Sequence, residues 1–204
     1  MSKRLPGRAD NLRRALAQEA ARIMAEHGIH DFLLAKRKAA ERFSVEDAGA
    51  LPKNVEVEAA LAEYQRLFGG EAHAETLQGQ RRTALDAMRR LSEFAPRLVG
   101  PVLNGTATAH SEIQLHLFTD FAESVAIKLM DAGIPHEITE RRTRMDPSRV
   151  LNIPGVRFEL NGHEIEATVF PTDGIRQAPV SPVDGKPMRR VDADELEALI
   201  EYDA

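Results

Sequence analysis

Glu112 and Gln114 stand two residues apart in "SEIQLHLF" (111–118), a segment in which polar and apolar residues alternate. Residues i and i+2 of a strand project from the same face. A strand here would present one carboxylate, one carboxamide and the His116 imidazole together, with Ile113, Leu115 and Leu117 opposite. Hard oxygen donors at that spacing suit Mg2+. Two such ions about 4 Å apart can hold a triphosphate and neutralise the charge that develops on it during transfer. That chemistry needs a further carboxylate from a neighbouring strand. Glu164 and Glu166 lie on the polar side of another alternating run, and Glu166 is the expected third donor. An amide oxygen can ligate a cation but adds no negative charge, so Gln114 makes a poorer site than a second acid would. His116 is expected to face solvent. Alternation alone also fits a plainer reading, in which Glu112, Gln114 and His116 are the wetted face of an edge strand.

The segment before this strand adds a second feature. "LVGPVLNGTATAHSEIQLHL" (98–117) runs from a short apolar stretch through Gly100, a helical turn, Gly105 and a small-residue loop to Ser111. This arrangement resembles the nucleotidyltransferases of the DNA polymerase beta superfamily. Their signature is a hydrophobic residue, Gly-Gly or Gly-Ser, a gap of about ten residues, and Asp-x-Asp on a strand. Residues 102–111 make the corresponding gap, and the resemblance covers roughly residues 85–170. It implies a nucleotidyltransferase-like fold and transfer of a nucleoside monophosphate from an NTP to a hydroxyl acceptor. It also implies Mg2+ held by Glu112, Gln114 and Glu166, and a phosphate turn shaped by Gly100 and Gly105 and supported by Ser111.

Three positions depart from that pattern. Pro101 stands in place of the serine, removing a hydroxyl and a backbone N–H donor, although proline suits the first turn of a helix. Glu112 replaces the first aspartate and Gln114 the second. The expectation is therefore the fold with a weakened or lost activity. The alternative is a non-catalytic relative that uses the same cleft for a nucleotide or a protein partner.

The elements that must position these residues follow from periodicity. Leu12, Leu16, Ala20, Ile23 and His27 recur at helical spacing, and Gly28 stops the helix. Asp31–Phe43 is a second helix, and "VEDAGALPKN" (45–54) a linker. Asn54 is expected to cap a third helix with Val57, Leu61, Tyr64 and Phe68 inward, ended by Gly69 and Gly70. A long helix over 72–95 turns Leu77, Ala84, Leu85, Met88 and Leu91 inward before Pro96. Strands are predicted at 97–100, 111–118 and 136–143. A helix over 120–132, with Phe121, Val125 and Leu129 inward, separates the last two. Two alternating runs flank Asn161-Gly162, the dipeptide of a type I′ turn, which predicts a hairpin over 156–170. A Pro/Gly loop (171–187) leads to a last helix at 193–200. The fold class is α+β, divided into a helical region (1–70) and a nucleotidyltransferase-like domain with a small mixed sheet (71–204).

Composition narrows the function classes. The 204 residues include no cysteine, which removes disulfides, thiolate nucleophiles and Cys-ligated zinc together. No apolar run is long enough for a bilayer and none follows the basic start, so no membrane partner and a cytoplasmic location are expected. The net charge of −5 is uneven, because residues 1–42 carry ten Lys and Arg against five acids. A basic head can attract nucleic acid, and a scaffold binding RNA or DNA is a further reading. No aromatic residues interleave there to stack bases. Arg22 and His27 are similar to the Arg-x-x-x-x-His of HEPN ribonucleases, a spacing common on ordinary helices. Two arginine-rich groups, at 141–149 and 176–190, have the charge to meet a triphosphate. There is no P-loop and no Gly-x-Ser-x-Gly elbow. The oligomeric state has no signature.

Overall fold

The computed structural model describes residues 7–45, 48–146 and 148–203. Lys3 and Arg4 of the basic head, and Glu46 and Asp47 of the expected linker, lie outside them. The chain is a mixed α+β protein with one five-stranded mixed sheet. It divides into two compact units, Met1–Ala74 with Pro182–Asp184, and Glu75–Ser181 with Gly185–Ala204. The division falls inside a helix, a few residues beyond the expected boundary.

The first unit contains α1 (Arg8–His27), α2 (Phe32–Arg42) and α3 (Asn54–Tyr64). Gly28 takes a left-handed conformation directly after α1, so the helix stops there. The Asp31 carboxylate accepts the Leu34 N–H and caps α2. The core is rich in alanine: Ala20, Ala21, Ala35 and Ala39 are fully buried beside Leu16, Ile23, Val57 and Leu61. Small side chains let helix axes approach closely, and the apolar stripe of α1 provides the larger contacts. Asn54 does not cap α3 as expected. It is the first helical residue, and its amide instead accepts from Lys36 and donates to the Pro182 carbonyl. Phe68 is 72 % exposed rather than inward.

The second unit is built on β1 (Arg97–Val99), β2 (Ile113–Phe118), β3 (His136–Arg144), β4 (Val150–Leu160) and β5 (His163–Phe170). Their order is β1-β2-β5-β4-β3, with β2 and β5 parallel and the other pairs antiparallel. α4 (Gly70–Arg90), α5 (Gly100–Asn104), α6 (Glu123–Asp131) and α7 (Ala193–Tyr202) complete it. One sheet face is apolar. Ile113, Leu115, Leu117, Ile165 and Ala167 pack in one cluster with Ala84 and Met88 of α4, Leu91 directly after it, and Val125 and Leu129 of α6. This burial supplies the main driving force for the unit. Phe121 is 71 % exposed instead of joining that core, because α6 begins two residues after it.

Pairing register defines the opposite face. One row across all five strands reads Val99, Gln114, Glu166, Arg157, Glu137. The next reads Arg97, His116, Thr168, Gly155, Thr139. The hairpin turn has positive φ at both Asn161 and Gly162, as a type I′ turn requires. No helix of the described residues is long and apolar enough to cross a membrane.

Candidate functional site

Gly100 forms the corner between β1 and α5 with φ +74°, a region that favours glycine. A Cβ there would also lie 2.6 Å from the Gln114 amide oxygen, so that amide would have to turn aside. Pro101 occupies the first turn of α5, where no N–H is needed. Gly105, also left-handed, ends α5. The loop that follows folds back on α4. Ser111 Oγ accepts the Thr108 N–H at 2.9 Å, and the buried Gln80 amide donates to the Thr108 and Ser111 carbonyls at 2.8 and 3.3 Å. Arg81, also buried, donates to the Val102 carbonyl and pairs with Asp203.

The six expected site residues thus fall into two groups. Gly105 and Ser111 belong to the loop held by α4. Gly100, Glu112, Gln114 and Glu166 gather at the polar sheet face. Glu112 precedes β2 rather than lying within it, a correction to the strand expected from 111. Gln114 and Glu166 are direct neighbours across the parallel β2–β5 pair.

Glu166 is buried, and both its oxygens are engaged. Oε1 accepts from Thr139 Oγ1 at 2.7 Å and Oε2 from Arg157 Nε at 3.1 Å. Thr139 lies two strands away, and Gly155 between them leaves the gap it needs. A Cβ on Gly155 would come within 2.8 Å of Thr139 Oγ1 and 2.9 Å of the Ala167 carbonyl. Arg157 also pairs with Glu164 at 3.7 Å. The field of Glu166, with smaller contributions from Glu164 and Glu112, holds the Arg157 guanidinium more firmly protonated than usual. Sequence reasoning missed Arg157 and Thr139. The hairpin held the signal for Arg157: counting outward from Asn161-Gly162 brings residue 157 opposite residue 166.

This donor set does not fit Mg2+ as it stands. Glu166 already has a cation, Gln114 is neutral, and Glu112 shares the field of the same arginine. Among the described residues, no group of three or more His, Asp or Glu is arranged to hold a metal ion.

His116 corrects another expectation. It is 5 % exposed rather than facing solvent. Its ring meets Phe170 edge-on at 4.8 Å, and Nδ1 accepts from Arg190 Nε at 3.0 Å. Burial, then the charges of Arg190 and Arg141, pushes its pKa down to about 3, so the imidazole is neutral at physiological pH. Arg190 is lowered to about 10 by burial and by Arg97.

Arg22 of the Arg-x-x-x-x-His spacing pairs with Glu19 and Glu26, and Arg42 also pairs with Glu19. Two hollows, of about 280 and 710 Å³, lie elsewhere in the second unit. The first is lined by α4 and α7, and the second by Asp120 and residues 171–176. Neither includes a residue of the Gly100 corner or its sheet face, although Arg176 of the second arginine-rich group lines the larger one. Comparison with protein-family models, with curated proteins and with solved structures returns no match, so geometry alone carries the functional argument.

Proposed function

We propose that the second unit is a nucleotidyltransferase-like domain that binds an NTP or its phosphates without metal-dependent transfer. Its lineage reading is supported by the order β1, Gly100 corner, α5, β2, and by Glu166 standing beside Gln114 on the adjacent strand. The loss of chemistry is supported by one observation above the rest: the Arg157 guanidinium sits on the carboxylate that would be the third metal ligand. A fixed cation there neutralises charge but opens no coordination position for phosphate or water. In this reading Gly100, Gly105 and Ser111 shape the nucleotide corner, and Glu112, Gln114 and Glu166 form its structural floor.

The test is calorimetric titration of ATP, GTP, CTP and UTP, each with Mg2+ and with EDTA, alongside a pyrophosphate-release assay. The expected result is binding of at least one nucleotide that survives EDTA, with no pyrophosphate released. Mg2+-dependent pyrophosphate release, or no nucleotide binding at all, overturns the reading. A companion pair sharpens it. Gln114→Asp alone should leave Mg2+ and Mn2+ affinity unchanged, whereas Gln114→Asp with Arg157→Gln should create a measurable metal site.

A further inference from the structure

The sheet has two edges, and the chain treats them differently. The β1 edge is covered, because Leu98 and Val191 exchange backbone hydrogen bonds at 2.9 and 3.2 Å. The β3 edge is open over most of its length. In an antiparallel pair alternate residues bond inward, and those between them turn N–H and C=O outward. The Met145 N–H donates inward to the Arg149 carbonyl, and the Arg144 carbonyl accepts from the Val180 N–H on the outer side at 2.8 Å. Even-numbered residues of β3 therefore point outward, and Val180 closes the edge at Arg144. Among the described residues, His136, Ile138, Glu140 and Arg142 make no further backbone bond on that side. An open row of this kind is a template for another strand.

Its length and charges select which strand fits. The open stretch, 136–142, is centred on Thr139. A second copy turned about a two-fold axis at Thr139 pairs 136 with 142 and 138 with 140. Every open donor and acceptor is then used, and Arg144 is left to Val180. In that register Glu137 stands opposite Arg141 of the second copy, and symmetry repeats the pair. Glu137 already extends the cross-strand row of Glu166 and Arg157, so carboxylate and guanidinium alternate along four strands and across the join. Moving the axis one residue, to Glu140, sets Glu140 against its own copy, and like charges directly opposite are destabilising. The helix-covered side adds apolar surface. Ile138, opposite buried Val156, is 70 % exposed. Lys128 on one flank of α6 pairs with Glu93, just before β1. The opposite flank, with exposed Ile127 and Met130, is thus turned toward the β3 side.

We propose that the chain forms a two-fold symmetric dimer through β3, with Thr139 on the axis, joining two five-stranded sheets into one. Backbone bonds at 136, 138, 140 and 142 hold the strands together, and the two Glu137–Arg141 pairs set the register. Ile127, Met130 and Ile138 give the interface its apolar part. The interface is independent of the nucleotide reading, because it uses none of the residues assigned to the corner.

The test is sedimentation equilibrium of the whole chain from about 1 to 100 µM. A reversible dimer is expected. Glu137→Arg and Arg141→Glu, both at exposed positions, each set like charges face to face twice and should weaken association about tenfold, with the circular dichroism spectrum unchanged. An equimolar mixture of the two should associate as the wild type does, because each supplies the charge that the other lacks. Glu140→Pro removes an outward N–H and no inward one, and should leave a monomer that keeps its fold. A monomer throughout the range for the wild type overturns the proposal and leaves the edge to a strand from a different protein. A dimer unchanged by both charge variants, or a mixture no tighter than either variant alone, overturns it as well.

Discussion

Arg157 and Glu166 face each other across the β4–β5 pair, and Nε meets Oε2 at 3.1 Å. The relationship is asymmetric. The Glu166 side chain is 5 % exposed and that of Arg157 is 40 % exposed, so the acid is buried and the base reaches it from the surface. Removing the base strands a charge, whereas removing the acid releases an arginine that water can solvate.

That asymmetry gives the first prediction. Arg157→Met should destabilise the protein by about 1–3 kcal/mol, less than for a fully buried pair because solvent screens the arginine. Glu166→Gln should cost less, since its neutral amide keeps the Thr139 bond. The double variant should recover most of the Arg157→Met loss. Urea unfolding of all four proteins measures the coupling, and strictly additive losses would show that the pair contributes no interaction of its own.

Gly100→Ala should cost about 1–2 kcal/mol from the left-handed backbone alone, with an additional loss from the contact with Gln114. Gln114→Ser removes the colliding amide, so the added loss should vanish in the Gly100→Ala, Gln114→Ser double variant. The measurement is again the unfolding free energy, compared in the two backgrounds.

His116 predicts a pH dependence. Its folded pKa, about 3, lies below the unfolded value of about 6.5. Between those values the unfolded chain takes up a proton that the folded protein refuses. Stability therefore falls as pH drops through that window, by at most about 1.4 kcal/mol per pH unit. Going from pH 7 to pH 5 should cost the wild type about 2 kcal/mol more than it costs His116→Gln. An identical pH response in the two proteins would mean that His116 titrates normally.

Gln80 anchors the loop after Gly105 through two carbonyls, while its own Oε1 has no partner. Gln80→Leu should cost about 1–3 kcal/mol through those lost donors. It should also speed amide exchange across residues 106–111 while leaving β2 protected, as hydrogen–deuterium exchange can resolve.

Much of the second unit was readable because its signals are local. Alternation over 113–118 and 163–170, and the turn chemistry of Asn161-Gly162, involve residues that touch or adjoin in sequence. The same counting rule that closes the hairpin brings Arg157 to Glu166, so that pair was within reach of sequence alone. The surroundings of His116 were not. Alternation places it on the polar face of β2, and that face is ordinarily wet at a sheet's edge. Arg190, 74 residues later, covers it together with Phe170. Phe121 failed in the opposite sense, since helical spacing cannot say where the first turn of α6 begins.

By itself the sequence determined the α+β class, the hairpin and its register, the glycine corner, and which side chains share a face of β2 or β5. Those follow from φ preferences and from periods of two and 3.6 residues, which act between near neighbours. Only the tertiary structure decided that Glu166 is already paired with Arg157 and that His116 is dry. Burial and charge pairing depend on which distant segments close over a face, and the chain's local pattern carries no record of that closure.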